Sequence, residues 1–100
     1  MREITHGDMH AAACVLLTCP CGDWPRVMAG LLADAHSADC YRKHSGRVHP
    51  RLGNGTLMAV ALARAPDAAA SCARPSAPRY QQALACVLSA LALWRTARQG

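Results

Sequence analysis

One hundred residues with a formal charge of +5, from ten arginines and one lysine against six acids, fit one domain and leave no room for a second core. Apolar residues make up 52% of the chain and aromatics only 4%, with no phenylalanine, so the hydrophobic content is mainly alanine and leucine, which favours close-packed helices over a sheet. The longest nearly unbroken apolar run, Ala83 to Trp94, is about twelve residues against the roughly 20 needed to cross a bilayer, which excludes a transmembrane reading.

The expected fold is therefore all-α, a compact bundle of four main helices at about 8–18, 24–45, 56–65 and 78–98, within one domain spanning 1–100. Asp8 is the expected cap of the first helix, where Met9, Ala12, Ala13, Leu16 and Leu17 recur at helical spacing. Pro20 and Gly22 stop it. Asp23 then caps a second helix with Pro25 in its first turn and Val27, Met28, Leu31, Leu32, Ala35 and Ala38 as its buried stripe. Arg42, Lys43 and His44 suit the negative end of that helix, and Gly46 offers the left-handed residue that ends it.

Arg47 to Gly55 reads as loop, since Pro50 biases His49 away from helix and Asn54-Gly55 is a turn signal. Asn54 or Thr56 caps a short third helix that turns Leu57, Met58, Ala61 and Leu62 inward and Arg64 outward. Pro66 ends it, and an irregular linker is expected over about 66–76. Pro78 starts the fourth helix, whose main stripe is Tyr80, Ala83, Leu84, Val87, Leu88, Leu91 and Trp94, broadened by Ala85, Cys86, Ala92 and Leu93. A helix this apolar needs cover on more than one side. A homodimer is expected, with Leu84, Val87, Leu88, Leu91 and Trp94 as interface candidates.

His6, His10 and Cys14, and separately His36, Cys40 and His44, each stand at i, i+4, i+8 and put three metal-ligating side chains on one helical face. No Cys-x-x-Cys or His-Glu-x-x-His accompanies them, so core or surface roles are the expected reading, with no metal and no cofactor. Cys19-Pro-Cys21 is one residue short of the redox motif, and nothing export-like precedes the cysteines, so reduced thiols and a cytoplasmic location are expected. Cys14 and Cys86 read as core fillers.

No serine or cysteine has a local base and orienting group, Asp34 and Asp39 read as hydrated positions on the outside of the second helix, and Gly53-Asn-Gly-Thr lacks a phosphate-loop lysine. The chain is expected not to be an enzyme. The best patch is cationic: Arg42, Lys43, Arg47, His49 and Arg51, suited to an acidic protein surface or to phosphates. A helix-turn-helix over the first two helices fits poorly, because Trp24-Pro25 would open the reading helix. The expected activity is protein interaction, including self-association, with nucleic-acid binding through Arg42–Arg51 as the alternative and a His/Cys metal or enzymatic site behind it.

The segments MREITHGDMHAAACVLL, LLADAHSADCYRKHSGRVHP and RLGNGTLMAVAL resemble a family of short, uncharacterised alphaproteobacterial proteins, over roughly Met1 to Ala65, with His49 to Met58 (HPRLGNGTLM) as the signature run. The resemblance implies a helical domain of unknown function and carries no activity with it.

Overall fold

Thr5, not Asp8, opens the first helix. The computed structural model describes residues 3–68 and 76–99, the side chains of the last two excepted. Its helices are α1 His6–Leu17, α2 Trp24–Ser45, α3 Leu57–Arg64 and α4 Pro78–Gln99, with a short 3-10 turn, Cys21–Asp23, ahead of α2.

Thr5 is extended, and its hydroxyl oxygen accepts from the Asp8 backbone N–H at 3.2 Å. Asp8, three residues on, returns the bond: its Oδ2 accepts the Thr5 backbone N–H at 2.8 Å and the Thr5 hydroxyl at 2.9 Å. This is a capping box with aspartate in the returning position. Asp8 is thus inside the helix, and only 3% exposed.

Six consecutive α1 residues, Ala11 to Leu16, are buried, so α1 is enclosed on every side. Small side chains at Ala11, Ala12, Ala13 and Cys14 let neighbours approach closely; α4 and α3 pack most extensively on α1, and α2 completes the enclosure. Within the single chain, α1 is the helix that its neighbours enclose, while α4 keeps an exposed face.

Trp24 locks the α1–α2 turn. Its indole N–H lies 2.6 Å from the Leu16 carbonyl oxygen and 3.2 Å from that of Cys19, and the Arg79 guanidinium sits 5.5 Å from its ring. The ring is buried. Asp23 makes no side-chain capping bond; its carboxylate pairs with Arg26 at 3.1 Å. Gly46, at φ 72°, ends α2 as expected.

α3 starts on a nested cap. Asn54 Oδ1 accepts from the Thr56 N–H at 3.2 Å and from its hydroxyl at 2.8 Å, while Thr56 Oγ1 accepts from the Ala59 N–H at 3.1 Å. Leu57, Val60 and Ala61 are buried, whereas Met58 and Leu62, expected inward, are exposed. Eight residues make little more than two turns, and the face that meets α1 and α2 runs through Val60. Arg64 reaches α2, pairing with Asp34 at 3.2 Å. Of the expected linker, residues 66–68 form a turn with Ala68 buried, and 69–75 lie outside the described residues.

Tyr80, Ala83, Val87 and Leu91 carry the buried face of α4 into the core. Tyr80 also reaches His10 on α1, with 2.8 Å between its hydroxyl and His10 Nδ1.

Candidate functional site

Two buried carboxylates organise the polar architecture, and both were read from sequence as something simpler. Besides closing the α1 cap, Asp8 Oδ1 accepts the Met58 backbone N–H at 2.8 Å, so one carboxylate caps the N-termini of α1 and α3 together. Asp39, expected on the hydrated outside of α2, is 1% exposed. The 53–55 turn covers it: a Cβ on Gly55, whose φ is +91°, would stand 2.9 Å from both Cα and Cβ of Asp39. Lys43 Nζ lies 3.0 Å from Asp39 Oδ2 and Arg42 contacts Oδ1 at 3.5 Å. Burial by itself raises the Asp39 pKa; the Lys43 hydrogen bond and the attraction of neighbouring positive charge overcome it and hold the carboxyl at about 2.

That arrangement splits the expected cationic patch. Arg42 and Lys43 lean back onto Asp39, while Arg47 and Arg51 lie beyond the Gly46 cap, exposed, and make no ion pair among the described residues. His49 shapes the loop that carries them. Its Nδ1 accepts the N–H groups of Arg51 at 3.1 Å and Leu52 at 3.0 Å, its backbone pairs with that of Gly53, and its ring stacks edge-on with Tyr41 of α2 at 4.9 Å between centroids. Arg51 is therefore presented by a closed five-residue loop tied to the helix.

The two metal-like stripes do not converge. His10 Nε2 lies 3.5 Å from Cys14 Sγ and His36 Nε2 lies 3.6 Å from Cys40 Sγ, while His6 and His44 are exposed at the ends of their stripes. His36 instead meets the Trp94 ring, 5.8 Å between centroids. Among the described residues no three His, Cys, Asp or Glu side chains gather to hold a metal ion. Cys14 is disulfide-bonded, where a reduced thiol was expected, whereas Cys19, Cys21, Cys40 and Cys86 are free. Burial pushes the Cys86 thiol pKa up, with Cys21 adding to the shift. No helix among the described residues is long and apolar enough to cross a membrane.

The remaining surface is the outward face of α4. Ala85, Leu88, Ser89, Ala92, Leu93 and Thr96 are all exposed and fall at one helical azimuth, a stripe without a charge. Leu93 is 72% exposed and Leu88 49%. Leu93 and Ser89 wall a groove of about 430 Å³ between α2 and α4, lined also by Pro25, Ala29, Leu32, Cys86, Ala90 and Trp94. Of the sequence-derived interface candidates, Val87 and Leu91 are taken up by the core, Leu84 and Trp94 are half-buried, and Leu88 faces out. Leu93 was legible only as a residue broadening the stripe. Its importance depends on which side α1 occupies, which spacing alone does not reveal.

The model of the family described as "Domain of unknown function (DUF7742)" matches residues 2–91, through the first three helices and α4 as far as Leu91. No curated protein and no solved structure matches the chain.

Proposed function

We propose that this chain, which belongs to the DUF7742 family, is an interaction protein that works as a homodimer through the outward face of α4. The observation that carries the reading is the uncharged stripe from Ala85 to Thr96, beside a groove on the same helix. An apolar helix face left uncovered by its own chain marks an association site. Arg95 borders the stripe, lining a pocket with Leu88 and Ala92, while the face around Ser89 and Leu93 is uncharged. A second copy fits because Leu93 stands exposed at the wall of the groove: under a two-fold axis, Leu93 of each protomer packs against the groove of the other, an isologous contact. Ala85 and Ala92, seven residues apart, allow the two α4 helices to approach at the short end of the roughly 8–10 Å range.

One helix face is a small interface. A helix of 22 residues is about 33 Å long and about 10 Å wide, so its footprint is on the order of 330 Å², against about 800 Å² per partner in a standard complex. The α2 side of the groove must contribute, and the dimer is expected in the micromolar range. Light scattering over a dilution series from hundreds of micromolar to below one micromolar tests this: a mass rising from monomer to dimer supports it, and monomer throughout removes it.

A further inference from the structure

We propose that the end of α2 and the loop after it form a docking surface for the phosphate backbone of nucleic acid, separate from the α4 face. Arg42, Lys43, Arg47 and Arg51 set four positive charges against the single carboxylate of Asp39, so three of the chain's five surplus charges sit here. Of the chain's other five acids, three are engaged with other groups: Asp8 with two helix N-termini, Asp23 with Arg26 and Asp34 with Arg64. The helix dipole accounts for cations in the last turn of α2 but not for Arg47 and Arg51, which follow the Gly46 cap.

The side chains suit phosphate. Three of the four cations are arginine, whose planar fork of donors matches phosphate oxygens two at a time. Tyr41, exposed and stacked on His49, adds aromatic surface of the kind that bases stack against. A lipid surface fits less well: apart from Tyr41, the one large exposed hydrophobic residue in this segment is Val48, and no amphipathic helix accompanies it. Contacts of this kind hold and orient a strand without reading its sequence.

Fluorescence anisotropy with a labelled 20-nucleotide single strand and the corresponding duplex, over a salt series, tests the assignment. Binding is expected with a dissociation constant of about 10⁻⁴ to 10⁻⁶ M, falling log-linearly with salt at about 0.7 to 0.9 per phosphate engaged. The doubly substituted Arg47→Gln/Arg51→Gln protein should lose about 1.5 from that slope on either probe, with circular dichroism and α4-mediated association unchanged. Stronger binding to the single strand assigns the Tyr41 ring to base stacking; equal binding assigns the patch to backbone alone. No anisotropy change at low salt overturns the proposal. So does an unaltered slope in the double variant, or preferential sedimentation with phosphatidylserine vesicles over either oligonucleotide.

Discussion

Replacing Asp8 with alanine should be among the most damaging single changes in this chain. The carboxylate is 3% exposed and accepts three hydrogen bonds, from the Thr5 N–H, the Thr5 hydroxyl and the Met58 N–H. Losing a helix cap costs about 1 kcal/mol, and orphaning a buried backbone donor costs about 1–3 kcal/mol. Thr5 lies at the rim, where water replaces part of its loss, whereas Met58 N–H faces the α1–α3 contact. The sum is roughly 2–4 kcal/mol, a large share of the 5–15 kcal/mol typical of a domain. Asp8→Asn keeps one acceptor oxygen, which can serve one helix but not both, and should cost about half as much. Urea unfolding followed by far-ultraviolet circular dichroism measures both. If Asp8→Ala unfolds within about 0.5 kcal/mol of the parent, where inconsequential surface substitutions fall, the double cap is not holding α1 and α3 together.

Other expectations follow from the same geometry. Asp39 has its pKa lowered from 3.8 to about 2, so its contribution is fully present above pH 3.8 and is lost as pH falls from about 4 to about 2. The loss is at most about 2 kcal/mol, and Asp39→Asn should flatten that part of the stability–pH profile. Gly55→Ala combines a left-handed φ of +91° with a Cβ 2.9 Å from the Asp39 backbone; strain alone gives about 1–3 kcal/mol, seen as a lower thermal midpoint, and an unchanged midpoint would mean that the turn does not seal Asp39. Trp24→Phe leaves the Leu16 and Cys19 carbonyls without their shared donor and should cost about 1–2 kcal/mol in urea.

How much of this was legible in the sequence differs from element to element. Gly46 and Thr56 declared themselves because left-handed glycine and threonine caps are local chemistry. Thr5-His6-Gly7-Asp8 was equally local: the spacing of a capping box was present, and reading Asp8 as the cap rather than its reciprocal partner displaced the start of α1 by two residues. Asp39 offered half a signal. Arg42 and Lys43 follow at three and four residues, the spacing of helical ion pairs, but its burial is decided by Gly55, sixteen positions away, against which it packs. The choice of the enclosed helix was hidden for a related reason. Both α1 and α4 are apolar around most of their circumference, and only the packing of α3 and α4 onto α1 decides which becomes the core and which keeps an open face. The metal-like stripes show the converse: i, i+4 spacing brings His10 to Cys14 and His36 to Cys40, as a helix must, but the two pairs serve different contacts, with Tyr80 and Trp94.

Sedimentation equilibrium of three proteins tests the central claim, that α4 pairs with α4 of a second copy. The parent should fit a monomer–dimer equilibrium. Leu93→Ala removes one exposed leucine from each side of a two-fold interface, worth about 2–4 kcal/mol per dimer, and should weaken the dissociation constant roughly 30- to 700-fold. Leu62→Ala, at a leucine on α3 that is 42% exposed, should leave it unchanged. A parent that stays monomeric, or a dimer that loses affinity with Leu62→Ala and not with Leu93→Ala, would contradict the account.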